Sequence, residues 1–501
     1  MRAFTIHLAV LQLVLLLSLV SPATSCAEQE KHALLQFLAG ILGDGALTAS
    51  WRHETDCCEW EGITCNGDGA VTEVSLASRG LEGRISPSLA DITSLLHVNL
   101  SRNSFSGVLP PELMHSSGSI IVLDVSFNRL NGLLPELPYL FTTERPLQVL
   151  NISSNQFSSK FPSATWKVMK NLIVLNASNN SFTGHIPSSL CIGSPSLALL
   201  DLYHNQLNGD IPNTLGNCSK LKVLKAGNNH LSWILPVEIF HATPQKKTSL
   251  EYLSFPNNGL QGELDGAHMV KRSNLAILDL GGNQISGNIP QSIGHLKRLE
   301  EIHLGSNNMS GELPSSLGNC TNLKTIDLKI NKFSGDLGKQ FGCTAAVGQP
   351  FPWCNTTRDR SSESTPLPEL GFQQLPWRDP TICNLTNLQG LDLSNNHLTG
   401  AIPVALENLH FLSRFNISNN DLEGPIPATG QLSMFQASSF DGKPKLSVSV
   451  LTNHCSSVKA ATVSIISAKE YNMKVIFSVA FGLFFGIGVL YDQLVLFRYF
   501  G

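Results

Sequence analysis

Tyr203, Lys225, Tyr252, His303 and Lys329 are the side chains of this sequence best suited to hold a ligand. They bring ammonium, imidazole and phenol groups to outward positions of neighbouring short strands, where they can hydrogen-bond and form ion pairs. That chemistry is recognition, not reaction. The chain has no H-E-x-x-H zinc helix, no G-x-S-x-G elbow, no G-x-x-x-x-G-K-S/T phosphate loop and no kinase motif. It therefore reads as a non-enzyme, without catalytic residues, metal or cofactor. Lys and Arg number 34 against 38 Asp and Glu, a net charge of −4, so nothing in the balance points to nucleic acid, which would call for a basic patch.

The element that must position these side chains is a repeat. The template L-x-x-L-x-L-x-x-N-x-L-x-G-x-I-P recurs, for example as LLHVNLSRNSFSGVLP from Leu95, LALLDLYHNQLNGDIP from Leu197 and LQGLDLSNNHLTGAIP from Leu388. Its asparagines are Asn103, Asn128, Asn155, Asn180, Asn205, Asn229, Asn258, Asn283, Asn307, Asn331, Asn396 and Asn420, spaced 24 to 29 residues apart except across the gap after Asn331. A degenerate first copy begins at Val71, with Arg79 in the asparagine position, making thirteen. L-x-L alternation specifies a short strand with one apolar face. One such unit cannot bury that face, so copies must stack and pair strand to strand. The asparagine amide then satisfies backbone groups at the inner turn, as a ladder. Gly and Pro turn the chain onto the outer side. A length of 501 residues thus belongs mostly to one solenoid rather than several domains.

The residue between the two core positions of each strand is polar in every copy: Ser75, Asn99, Asp124, Asn151, Asn176, Asp201, Lys225, Ser254, Asp279, His303, Asp327, Asp392 and Asn416. This stripe is either a ligand face or merely a solvated sheet face. Ten N-x-S/T sequons occur, at Asn99, Asn151, Asn176, Asn179, Asn217, Asn308, Asn319, Asn355, Asn384 and Asn416. Asn99, Asn151, Asn176 and Asn416 lie on the stripe, where glycans would block it. The least obstructed stretch runs from Asp201 to Asp327 and holds the candidate ligand residues.

The ends read as targeting segments. Residues 1–25 have a basic start, an apolar run from Leu8 to Val20 and small residues before Cys26, the pattern of a secretory signal. Residues 475–497 form a run of near-spanning length, interrupted by Asp492 and followed by a short tail, 498–501. It reads as a single-pass anchor or as a cleaved lipid-anchor signal. Secretion admits disulfides, and the 11 cysteines leave at least one unpaired within the chain. Cys218 and Cys320, both in GNC contexts, are expected to be buried as small apolar residues.

The repeat L-x-x-L-x-L-S-x-N-x-L-x-G-x-I-P resembles the plant-specific leucine-rich repeat. Trp51 with DCCEWEGITC, Asp56 to Cys65, resembles the plant N-terminal cap, and Asn408 to Phe435 is similar to the last repeats of plant receptor-like proteins. Within that family the chain resembles the receptors for tyrosine-sulfated, phytosulfokine-type peptides and their kinase-less relatives. The resemblance implies an α/β solenoid, a right-handed leucine-rich-repeat horseshoe with a parallel β-sheet on its concave face, outside a single transmembrane helix at the plasma membrane. It implies a peptide or microbial ligand and a membrane-bound co-receptor kinase as partners. It also implies the disulfides Cys26–Cys57 and Cys58–Cys65 in a cap over residues 26–70. Repeats 1–11 then cover 71–338 and repeats 12–13 cover 388–436, with a C-terminal cap and juxtamembrane linker over 437–474. A secreted or wall-associated inhibitor of microbial polysaccharide-degrading enzymes, or a truncated non-signalling receptor product, stays open as an alternative. Two stretches depart from the group. Residues 339–387 break the template and are either an island like those of related receptors or a misjoined gene product. Cys455 lacks the partner that a C-terminal cap would supply.

Overall fold

Each L-x-L segment begins on a short strand that buries the first of its two core residues and ends at the polar residue between them, and lateral pairing joins the strands in one ladder. A computed structural model describes residues 25–43, 47–115, 119–136, 145–240, 249–264, 266, 274–341, 385–427, 430–442 and 446–447. The coil strands, in order 1 to 13, are Val71–Ser75, His97–Asn99, Val122–Asp124, Val149–Asn151, Val174–Asn176, Leu199–Asp201, Val223–Lys225, Tyr252–Ser254, Ile277–Asp279, Glu301–His303, Thr325–Asp327, Gly390–Asp392 and Arg414–Asn416. With the cap strand Ile63–Cys65 they make a 14-stranded sheet in sequence order. The cap strand pairs antiparallel to coil 1, and every later pair is parallel.

The core is a column of apolar layers. Val98, Leu123, Leu150, Leu175, Leu200 and their equivalents are fully buried, as are Leu100, Ile152, Leu202, Leu280 and Leu328 from the turn that follows. Burying one such side chain contributes roughly 1.5–3 kcal/mol. The asparagine ladder is present in all twelve copies. In Asn128, Nδ2 donates to the carbonyls of Leu100 (3.0 Å), Val125 (3.1 Å) and Ser126 (3.1 Å), while Oδ1 accepts from the N–H of Phe105 (3.0 Å). Each asparagine thus ties its own inner turn to the coil before it. The residue just before it adopts a left-handed φ in twelve coils as a non-glycine, from Ser78 to Asn419, and in coil 9 as Gly282.

The sequence reading missed a second set of strands. After the ladder asparagine, short strands such as Ser104–Gly107, Gln206–Gly209, His230–Ile234 and Lys332–Asp336 pair in parallel along one flank. The template proline begins a short 3-10 helix on the far side of many coils, with Pro212, Pro236, Pro290, Pro314 and Pro403 as N-caps.

The first layer is sealed by the cap. Helix α1 (Glu28–Ala39) buries Leu34 and Phe37 against Trp51, Phe105 and their neighbours. Trp51 and Trp60 stack 5.4 Å apart and are almost fully buried. Each indole N–H is used, Trp51 to the Glu61 carbonyl (3.0 Å) and Trp60 to Thr55 Oγ1 (2.7 Å). Disulfides join Cys26 to Cys57 and Cys58 to Cys65.

Coil 11 pairs directly with coil 12, Thr325 opposite Gly390 and Asp327 opposite Asp392. The template break at 339–387 therefore leaves the ladder in register. The signal segment (but for residue 25), Asn355, Asn384, Cys343, Cys354, Cys383, Cys455 and the 475–497 run lie outside the described residues. Among the described residues no helix is long and apolar enough to cross a membrane.

Candidate functional site

The polar stripe occupies one register position across the whole sheet, from Ser75 to Asn416. Its polarity has a cause that neither reading of the sequence contained. In nine coils the Asn or Asp side chain accepts the backbone N–H two residues on, closing an Asx turn at the strand end. The nine are Asn99, Asp124, Asn151, Asn176, Asp201, Asp279, Asp327, Asp392 and Asn416. In coils 2 to 5 and 12 the residue reached is a serine whose hydroxyl also donates to the cap, at 2.6–2.8 Å. Most of the stripe thus serves the turn. Lys225 and His303 are the members whose side chains cannot cap and are not small.

The row two residues beyond the stripe sharpens this. It is serine in coils 2 to 5 and again in 12 and 13, but in coils 6 to 11 it reads Tyr203, Gly227, Pro256, Gly281, Gly305 and Lys329. Six consecutive coils therefore give up the serine. The signal was legible in the sequence, at the S of the L-S-x-N template.

Two side-chain groups occupy this stretch. In coils 6 to 8, Lys225 Nζ lies 3.9 Å from Asp201 Oδ2 and 4.9 Å from the Tyr252 ring centroid. Tyr203 Oη accepts from Asn228 Nδ2 (2.6 Å), and Asn228 Oδ1 accepts from Asn257 Nδ2 (2.7 Å). A Cβ on Gly227 would meet Pro256 Cδ at 2.6 Å and the Tyr203 ring at 2.9 Å, so glycine lets these two rings close over the strand. Burial, then the charges of Asp279 and Asp201, raise the Tyr203 pKa and keep the phenol protonated.

In coils 9 to 11, His303 Nε2 lies 3.0 Å from Glu301 Oε2. Burial opposes charge on His303, but the Glu301 hydrogen bond and the carboxylates of Asp279, Glu301 and Asp327 outweigh it and raise the imidazole pKa. The same hydrogen bond lowers the Glu301 pKa. Burial raises that of Asp279. Lys329 Nζ donates to Asp327 Oδ2 at 2.9 Å, which holds the ammonium charged.

His303, Asp327 and Lys329 also line a recess of about 540 Å³ that continues to Asp392, Arg414 and Met434. Arg414 was not among the sequence candidates. It sits in the row before the stripe, opposite Gly390, and its guanidinium reaches Thr325 Oγ1 at 3.4 Å. Gly390 leaves it room, since a Cβ there would lie 3.3 Å from Nη2. The five sequence candidates thus form two groups, Tyr203–Lys225–Tyr252 and His303–Lys329, with Arg414 added to the second.

Among the described residues Cys26, Asp56 and Cys57 have metal-ligand proximity, but both sulfurs are spent in a disulfide. Cys218 departs from the expectation of a lone buried thiol. It is bonded to Cys191, joining coils 5 and 6 on the far side, because the two Cα atoms are 5.0 Å apart. Cys320 at the equivalent place in coil 10 is free and buried.

The sequons fall in different settings. The stripe asparagines Asn99, Asn151, Asn176 and Asn416 are tied into Asx turns, and Asn151 Nδ2 also donates to Asp124 (3.1 Å). Asn179, Asn217 and Asn308 are exposed, and Asn319 is half-buried.

Comparison with known proteins matches the leucine rich repeat N-terminal domain at residues 27–66 and the Leucine Rich Repeat at 94–116, 146–167, 171–191, 196–218, 274–296, 298–320 and 387–409. The chain is 36% identical over 130 residues to Receptor-like protein 3 of Arabidopsis thaliana, covering 25% of this chain and 16% of that protein. It is 41% identical over 98 residues to Phytosulfokine receptor 2 of the same plant, covering 18% and 10%. It spans less than a fifth of the length of either relative. Among solved structures it is similar to a TDR receptor, with a TM-score of 0.58 and 27% identity over 75% of this chain and 55% of that one.

Proposed function

We propose that this leucine-rich-repeat chain, a relative of plant receptor-like proteins and phytosulfokine receptors, perceives a peptide at the cell surface and signals with a membrane-bound co-receptor kinase. The ligand face is the open sheet face of coils 6 to 11, continued to Arg414. The observation that carries the reading is the run of six coils that abandon the turn-capping serine between Tyr203 and Lys329. A solenoid built only to stack has no reason to change one outward row over a contiguous stretch. Cationic Lys225, Lys329 and Arg414, with His303 beside them, suit an anionic peptide such as a tyrosine sulfate. Tyr203 and Tyr252 add flat apolar contact.

The same reading includes a secreted N-terminus, an anchor at 475–497 and glycans at the exposed Asn217 and Asn308. It makes the protein a binding module rather than an enzyme. Titration of the full-length protein in detergent with phytosulfokine, sulfated and unsulfated, tests it. Lys225→Ala, His303→Ala and Lys329→Ala together should weaken binding of the sulfated peptide at least about tenfold, the scale of one lost charge-assisted hydrogen bond. Unchanged affinity would reject this face. Carbonate extraction of plant membranes tests the anchor, since release of the tagged chain into the soluble fraction would reject it.

A further inference from the structure

On the flank of the solenoid the template glycine has a second use. It adopts a left-handed φ, and it lies against the side chain that follows the equivalent position of the preceding coil. A Cβ on Gly132 would meet Val108 at 3.0 Å, one on Gly184 would meet Lys160 at 3.6 Å, one on Gly262 would meet Ile234 at 2.9 Å and one on Gly287 would meet Glu263 at 2.8 Å. In coil 7 this position is Trp233, at φ +70°. That is a conformation L side chains rarely adopt, least of all a bulky one. The ring gains little burial in exchange, being 66% exposed, and Ile234 beside it is 57% exposed. A left-handed backbone that presents two adjacent large apolar side chains, Trp233 and Ile234, to solvent is the kind of outlier from which a functional contact is inferred.

The surroundings indicate what. Along the same flank row none of coils 1 to 5 presents an acidic side chain, whereas coils 6, 8, 10 and 11 present Asp210, Glu263, Glu312 and Asp336. Asp210 comes from the coil before Trp233 and Glu263 from the coil after, both exposed. Among the described residues Asp210, Glu263 and Glu312 have no salt-bridge partner, whereas Asp336 lies 4.0 Å from Lys339.

The geometry points to this flank, centred on Trp233, as a docking surface for a cationic segment of a protein partner, separate from the ligand face. An Arg or Lys of that segment stacks on the Trp233 ring, its aliphatic stem lies along Ile234, and neighbouring cations pair with Asp210 and Glu263.

The full-length protein in detergent, with a fluorescein-labelled Gly-Arg-Gly-Arg-Gly-Arg peptide as probe, tests the assignment by anisotropy. Trp233→Gly restores the template residue and so removes the ring without a folding cost. Affinity should fall about tenfold while the melting temperature holds or rises. Asp210→Asn with Glu263→Gln should weaken binding several-fold and flatten its salt dependence. The open-face variant Lys225→Ala/His303→Ala/Lys329→Ala should bind the probe normally. Unchanged affinity in Trp233→Gly would overturn the proposal, and so would a lower melting temperature in that variant. Trp233-dependent capture of neutral cellohexaose in preference to the arginine peptide would also overturn it, by assigning the ring to sugar stacking.

Discussion

The backbone N–H of Phe333 donates to Asn396 Oδ1 at 3.0 Å, although the two are 63 positions apart in the chain. Asn396 Nδ2 returns a bond to the Leu328 carbonyl at 3.1 Å. Coils 11 and 12 are therefore joined as any two neighbouring coils are, by the ladder amide and by the pairing of Thr325–Asp327 with Gly390–Asp392. Deleting residues 343–383, which restores an ordinary coil spacing, should leave the fold intact. Loop-closure entropy changes slowly with length, so stability should move by about 1 kcal/mol or less. Thermal unfolding checks this, and a loss of cooperative melting would show that the insert holds the coils together.

The ladder predicts a large cost for a small change. Asn283 Nδ2 donates to the carbonyls of Phe255 (2.9 Å) and Leu280 (2.9 Å), and its Oδ1 accepts from the Leu260 N–H (3.1 Å). Asn283→Ala strands buried polar groups of two coils and should cost at least about 3 kcal/mol. Urea unfolding measures it. A cost like that of an exposed Asn→Ala change would mean that water replaces the amide.

Ile330 is a β-branched residue at φ +53° with half its surface exposed, just before a ladder asparagine. Coils 12 and 13 place Asn395 and Asn419 there. Ile330→Asn should stabilise the protein by about 1 kcal/mol, through relief of left-handed strain. A lower melting temperature would mean that Ile330 packs against something in the intact protein.

His303 has a folded-state pKa above its ordinary value near 6.5. The fold therefore favours the protonated imidazole. The stability this brings is complete below about pH 6.5 and is lost as pH rises through the raised folded value. His303→Gln should flatten that part of the stability curve and the matching part of the binding curve for a sulfated peptide. Identical pH profiles for both proteins would exclude His303 as the titrating group.

Burial pushes the Cys320 thiol up to about 11, and its Sγ donates to the Ile293 carbonyl at 3.2 Å. The thiolate is the reactive form, so maleimide should leave Cys320 unlabelled in the native protein and label it after denaturation. Peptide mass spectrometry distinguishes it from the other cysteines. The same digest should recover Cys191 and Cys218 as one linked peptide, and Cys191→Ser should cost roughly 2–4 kcal/mol.

The repeat was legible because every copy carries the same constraint. Leucine alternation, a ladder asparagine and a turning glycine recur with a regular period, and each coil needs only its neighbours. Thirteen strands, their stacking in sequence order and the polar stripe followed from residue spacing, and the parallel sheet followed from the family resemblance that the repeat carries. Spacing could not say what an individual stripe residue does. Asn151 and Lys225 hold equivalent places, yet one caps its own turn and the other reaches Asp201 and Tyr252 on the coils beside it. Lateral neighbours, some 25 residues away in sequence, decide that difference. The Cys191–Cys218 bond, the reach of Arg414 to Thr325 and the exposure of Trp233 arise in the same way. Each depends on how far one coil lies from the next and which side chains share the gap. A one-dimensional pattern defines the period of a solenoid, but only the stacked coils set those distances.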